Sequence, residues 1–138
     1  MIVLDTNVLS EALRPTPSSI VLGWMREEPL EAAFTTSITE GELLFGIARL
    51  PEGRRRDALE AVINRLLRER FAGRILPFDS AAAREFAEIA AARRRIGRPI
   101  SEPDARIAAI TKSRGAVLAT RNVTDFADCG LELINPWD

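Results

Sequence analysis

The sequence predicts an α/β fold in which a short, mostly parallel sheet of about five strands is flanked by helices. Three observations carry that expectation. Short apolar runs rich in branched side chains recur at residues 2–5, 32–35, 74–78, 117–119 and 131–134. Longer stretches with helical spacing of apolar residues separate most of them, as the crossovers of a parallel sheet require. Most of those stretches open on Ser, Thr or Asp and stop at Gly or Pro, the chemistry of helix caps and breakers.

The elements follow in order. Ile2, Val3 and Leu4 form a continuous apolar run ending at Asp5, the pattern of a strand buried on both faces. Residues 6–13 read as a short helix that stops before Pro15, because the residue before proline disfavours the helical region. Ser18 or Ser19 caps a second helix through Trp24 and Met25, closed by Pro29. After the strand at 32–35, Thr36 or Ser37 caps a helix from Ile38 to Leu50, stopped by Pro51 and Gly53. Residues 57–70 form a long amphipathic helix with Leu59, Val62, Ile63 and Leu66 on its apolar stripe and arginines elsewhere. The strand RILPF follows; Asp79 or Ser80 then caps an alanine-rich helix that ends at Gly97 and Pro99. A helix over 101–114 ends at Gly115 and leads to the last two strands. With 138 residues and no linker or repeat, residues 1–138 are read as one domain.

Composition narrows the chemistry. Hydrophobic residues make up 46% and charged residues 28%, ordinary for a globular domain. No apolar stretch approaches the roughly 18 residues of a membrane span, and no segment reads as a signal peptide, so a cytoplasmic protein without membrane association is expected. The one cysteine, Cys129, excludes an intrachain disulfide and reads as a small packing residue. Histidine is absent, which excludes Ser-His-Asp and Cys-His nucleophiles and histidine metal clusters. An enzyme of this composition must work through carboxylates, as hard oxygen ligands or as acid and base. The net charge of −1 excludes a generally basic nucleic-acid coat but leaves room for a local patch.

Four segments bring carboxylates towards one place. Ligands of open parallel sheets bind beyond the carboxyl ends of the strands, where Asp5 stands after the first strand. After Val117–Ala119 the sequence TRNVTDF delivers Thr120, Asn122 and Asp125 to the same edge if the two strands are parallel. In the helix SEPDARIAAITKSRG, Asp104 lies on the side of the apolar stripe Ile107, Ala108, Ile110 and Thr111. In TSITEGELLFGIARL both Glu40 and Glu42 are candidates, and spacing does not choose between them; Gly46 offers room for a close approach. Each acid also has a plain structural reading: Asp5 as a helix cap, Asp104 as a first-turn acid, Asp125 in an Asx-turn and Glu42 as a solvated helix residue. The arginine runs Arg54–Arg56 and Arg93–Arg95 read first as solvated faces.

The segments MIVLDTNVLSE, SITEGELLFGIARL, FAGRILPFD, PDARIAAI, VLATRNVTDF and INPWD, in this order, resemble the PIN-domain ribonucleases. Within that family they resemble the VapC-type toxins of toxin–antitoxin pairs, and the FitB-like branch most of all. The resemblance spans nearly the whole chain. It implies a three-layer fold and selects Asp5, Glu42, Asp104 and Asp125 as the acidic site, with Glu42 chosen over Glu40 because it stands directly before a leucine. Thr120, Asn7 and Asn122 match supporting polar positions. The implied activity is Mg²⁺- or Mn²⁺-dependent endoribonuclease cleavage, with one or two ions and metal-activated water; tRNA is among the substrates the family cuts. The implied partners are RNA, a VapB-like antitoxin, a second toxin copy, and DNA only through the antitoxin. Arg14, Arg49 and Arg121 are the arginines nearest to the acids in sequence and the candidates for RNA contact. Leu9, Leu13, Val21 and Trp24 suit either partner surfaces or the core.

Two rivals remain at this level. An aspartyl-phosphate phosphatase also ends a strand in an acid but wants a second acid two residues on, where this chain has Asn7. A largely non-catalytic subunit of a DNA-bound repressor complex would use the same acids only to hold an arginine of its partner.

Overall fold

In the computed structural model, which describes residues 1–138 throughout, five strands form one sheet in the order β3-β2-β1-β4-β5, and every pairing is parallel. The strands are β1 (Ile2–Leu4), β2 (Ala33–Thr36), β3 (Ile75–Leu76), β4 (Val117–Ala119) and β5 (Leu133–Ile134). The helices are α1 (Thr6–Ala12), α2 (Ser19–Glu27), α3 (Ser37–Ala48), α4 (Arg54–Arg65), α5 (Ser80–Arg95) and α6 (Glu102–Ser113).

Side-chain alternation along the strands builds the three layers. Val3 of β1 and Leu118 of β4 point into one core with Ile89 of α5 and Ile107 and Ile110 of α6. Their neighbours Leu4 and Ala119 point into the other, with Val8, Leu9, Val21, Leu43, Ile47 and Ile63. A sheet with a core on each face needs the unbroken apolar strands seen in the sequence. No helix is long and apolar enough to cross a membrane.

The caps fall on one of each expected pair. Ser18, Thr36 and Asp79 accept hydrogen bonds from the amides of Val21, Thr39 and Ala82. Most boundaries shift by a residue or two from the expectation, as β2 does to 33–36 and the end of α3 to Ala48, and four shifts have a backbone cause. α4 starts at Arg54 rather than 57, because Gly53, at φ +152°, turns the chain and its carbonyl accepts the amide of Asp57. That helix ends in a π-turn over Leu66–Arg70, which brings Leu67 and Phe71 into the core, while Val62 stays half exposed. β3 is cut to two residues at Pro77, which has no amide to continue the ladder. β5 begins at Leu133 rather than 131, after Gly130 at φ +72° turns the chain.

Because β1 pairs with β2 on one side and with β4 on the other, the chain leaves the sheet centre in opposite directions. The carboxyl ends of β1 and β4 therefore flank a topological switch point, where a crevice opens. The register Leu4↔Ala119 sets Asp5 and Thr120 side by side on that rim.

Candidate functional site

Asp5 is 5% exposed. Its backbone amide completes the sheet by donating to the carbonyl of Ala119 at 3.0 Å. Its side chain caps α1, as Oδ1 accepts the Thr6 amide at 2.8 Å. Oδ2 accepts from the Thr120 hydroxyl at 2.8 Å and from Asn7 Nδ2 at 3.2 Å. Thr120 is fully buried and in turn accepts the Asn122 amide at 3.1 Å and Asn7 Nδ2 at 3.3 Å. Asn7 Oδ1 accepts the amide of Arg121. The polar residues near the first and last acids thus form one network around Asp5. Its capping role and its place at the crevice coexist.

Burial pushes the Asp5 carboxyl from 3.8 up to about 6, with the nearby charges of Asp104 and Glu42 adding to the rise and the Thr120 and Thr6 hydrogen bonds opposing it. Burial also raises the Asp104 carboxyl, against the Ser101 hydrogen bond, and the charge of Asp125 adds to that rise. Asp5 thus lies within the field of Asp104 and Glu42, and Asp104 within that of Asp125. None of them is ion-paired: the pairs of the molecule are Arg14–Glu11, Arg98–Asp128, Arg106–Glu102 and Lys112–Glu85. No three of the acids stand close enough, as the side chains lie, to ligate a single ion together.

Each acid reaches the rim by its own local logic. Asp104 sits half-buried in the first turn of α6, which Ser101 caps. Glu42 stands on the exposed side of α3 and accepts the Thr6 hydroxyl at 2.8 Å; Glu40, also on α3, makes no such bond. Asp125 and Asn122 lie exposed on the turns between β4 and β5. The Asn122 side chain meets none of the acids, and only its backbone joins the network.

The candidate arginines separate. Arg121 lies with its guanidinium 5.0 Å from the centre of the Trp137 ring. Arg49 lies 6.0 Å from the ring of Phe45 on α3. Arg14 stands beyond the far end of α1 and pairs with Glu11. Around Gly46 a Cβ would meet nothing within 4 Å, so no part of the chain makes the close approach that glycine would permit. Leu9 and Val21 are core residues, whereas Leu13 and Trp24 line an apolar groove of about 550 Å³ with Leu22, Met25, Leu66 and Phe71.

Two contributors escaped the sequence reading. Thr6 joins Glu42 to Thr39 at 3.0 Å, and the Thr39 amide donates to Thr36 at the end of β2, so hydroxyls link α3 to α1. Arg93, read as part of a solvated run, is 4% exposed. The helical spacing held that signal, because Arg93 falls four residues after buried Ile89 on the inner stripe of α5.

Comparison with known proteins agrees with this architecture. The PIN-domain profile matches residues 2–129. The chain is 39% identical to the VapC ribonuclease Y4jK of Sinorhizobium fredii, over 100% of this chain and 99% of that protein. It is 38% identical to toxin FitB of Neisseria gonorrhoeae, over 99% of each. The structure of FitAB bound to an IR36 DNA fragment superposes with a TM-score of 0.94 at 37% identity, covering 100% of this chain and 96% of the other. The chain belongs to the PIN-domain family, among its VapC- and FitB-type toxins.

Proposed function

We propose that the chain is a metal-dependent endoribonuclease, the toxin of a VapBC-type pair, with Asp5, Glu42, Asp104 and Asp125 as its acidic site. The observation that carries the reading is a buried carboxylate, Asp5, with two further acids raising its pKa and no cation paired to any of the four. Such a concentration of like charge is costly unless a cation relieves it. The donors are all carboxylate and hydroxyl oxygens, which suits Mg²⁺ or Mn²⁺, one or two ions held directly or through water. When bound, the ion would bring the pKa of water towards neutrality and offset charge on the phosphate, so no histidine is needed.

The chain's own residues have separable tasks. Thr120 and Asn7 fix the Asp5 carboxylate by donating to Oδ2 and so keep it from turning away from the crevice. Thr6 does the same for Glu42. Arg121, stacked on Trp137 beside the site and free of any carboxylate partner, is preorganised to hold an RNA phosphate by its guanidinium fork. Arg14, already paired with Glu11, is the weakest of the three arginine candidates.

The groove between α1, α2 and the end of α4 fits the apolar face of a VapB-like antitoxin segment. Control of the toxin, contact with DNA through that partner, assembly as a homodimer and a cytoplasmic site of action belong to the same reading. Purified protein with defined RNAs tests it. Cleavage is expected with Mg²⁺ or Mn²⁺, is lost in chelator, and is lost in Asp5→Asn and Asp104→Asn variants that keep the fold. Retained metal-dependent cleavage in both variants overturns the assignment. Metal-independent inertness of the wild type on every RNA favours the repressor-subunit role instead.

A further inference from the structure

α5 ends in three arginines. Arg94 and Arg95 are exposed, but Arg93 is buried and meets no carboxylate within ion-pair distance. Its donors go to other partners. Nε donates to the carbonyl of Arg98 at 2.7 Å. Nη1 donates to the carbonyl of Asp125 at 2.8 Å and to that of Ala127 at 3.0 Å. The same nitrogen lies 3.6 Å from the Cys129 sulfur.

The acceptors of Nη1 belong to the segment between β4 and β5, which contains neither strand nor helix. Consecutive turns hold it: the amides of Asp125, Phe126 and Ala127 donate to the carbonyls three residues back. Asp128 has φ +59°. Turn residues leave carbonyls without ladder partners, and buried ones must be met. Arg93 meets two of them with one nitrogen and ties them through Nε to the turn after α5. Burying an arginine without a contacting carboxylate is costly. Here three carbonyls, those of Arg98, Asp125 and Ala127, replace the water that the guanidinium gives up.

We propose that Arg93 is a positioning residue of the acidic site: it anchors the turn that carries Asp125. The inference rests on the proposed role of Asp125 as a site acid. A guanidinium is needed because its nitrogens reach acceptors in two directions from a planar fork, which a single ammonium does not. The ion pair Arg98–Asp128, at 3.1 Å on the same turn, is solvent-exposed and contributes little, so Arg98→Ala is the control.

Arg93→Lys and Arg93→Met, with Arg98→Ala, are compared with the wild type in two measurements. In chelator, hydrogen exchange followed by mass spectrometry reads the order of residues 121–130 without any metal. Isothermal titration with Mn²⁺ alone reads the site. Both Arg93 variants are expected to melt cooperatively, to exchange residues 121–130 about tenfold faster with the sheet centre unchanged, and to bind Mn²⁺ about tenfold more weakly. Arg98→Ala is expected to match the wild type in both. If Arg93→Met does not fold, Arg93→Lys decides. Exchange at the wild-type rate, faster exchange with unchanged Mn²⁺ affinity, or loss of cooperative melting in the lysine variant each overturns the proposal, the last because it makes Arg93 a general core residue. A wild type that binds no Mn²⁺ defeats the metal-nuclease reading instead, and the exchange measurement alone then decides whether Arg93 holds the turn.

Discussion

Replacing Asp5 by asparagine should make the metal-free protein more stable near neutral pH. In the folded chain the Asp5 carboxyl is raised from 3.8 to about 6, chiefly by burial. Between those values the folded protein holds a proton that the unfolded chain has released, so stability falls as pH rises through the interval and stays reduced above it. Proton linkage over that difference amounts to roughly 3 kcal/mol. Asparagine removes this penalty but not all of the hydrogen bonds. Oδ1 can still accept the Thr6 amide, and the Thr120 hydroxyl can turn to accept. A carboxamide nitrogen in the place of Oδ2 faces Asn7 Nδ2, donor to donor, which forfeits about 1 kcal/mol. The balance is a gain of about 1–2 kcal/mol, or roughly 3–8 °C in Tm for a domain of this size. Calorimetry in chelator at about pH 7.5 and about pH 4.5 checks the sign and its cause. At the lower pH the wild-type carboxyl is largely protonated in the folded state, most of the penalty is gone, and the two proteins should melt within about 1 kcal/mol of each other. With Mn²⁺ at about 100 times its Kd, the wild type should gain roughly 2.7 kcal/mol that the variant does not. A variant less stable than the wild type by the same amount at both pH values would refute the reasoning, because the buried charge would then cost nothing.

Three further outcomes concern the acidic site, its neighbouring arginine and the apolar groove. Thr120→Val removes the only hydroxyl donated to Asp5 and should cost about 1–3 kcal/mol in urea titrations near neutral pH, less at acid pH where Asp5 is protonated. Arg121→Ala should raise KM for RNA with little change in kcat, and reduce the salt slope of binding by about 1; an unchanged slope removes Arg121 from the phosphate contacts. Trp24→Ala, in the wall of the apolar groove, should weaken binding of a VapB-like partner by about tenfold or more while cleavage by the isolated protein persists, which titration of the partner against each toxin measures.

The sheet was legible because a parallel strand buried on both faces leaves an unmistakable trace. Ile2–Leu4 and Val117–Ala119 read as uninterrupted apolar runs, and both became central strands. The caps were legible for a similar reason, since Thr36 and Asp79 do local chemistry that depends on their own few neighbours. What the sequence did not convey was where backbone special cases override spacing. Gly53 allowed the helix to begin with three arginines in its first turn, and the π-turn at Leu66–Arg70 altered the helical phase before Phe71. Neither event has a hydrophobic period of its own.

The site divides along the same line. Asp5 and Asp104 announce themselves because an acid on an apolar pattern is costly to desolvate, and both do have raised pKa values. Glu42 and Asp125 are exposed on a helix side and a turn, where acids are commonplace; the strand order brought Asp125 to the rim, but only the likeness to a family chose Glu42 over Glu40. The supporting groups are harder still to read. Thr6 bridges to Glu42 across 36 positions of the chain, Thr120 to Asp5 across 115, and Arg93 to Asp125 across 32. A hydroxyl or guanidinium of this kind satisfies no local rule, and its partner is chosen by the register Leu4↔Ala119 and by the packing of α5 on α6. Carboxylates at a switch point can therefore be found from sequence once the strand order is guessed. The groups that fix their angles become visible only when the fold supplies the distances. That asymmetry also explains why Arg93 hid in a run of three arginines: its charge argued for solvent, and only its place four residues beyond Ile89 argued for the core.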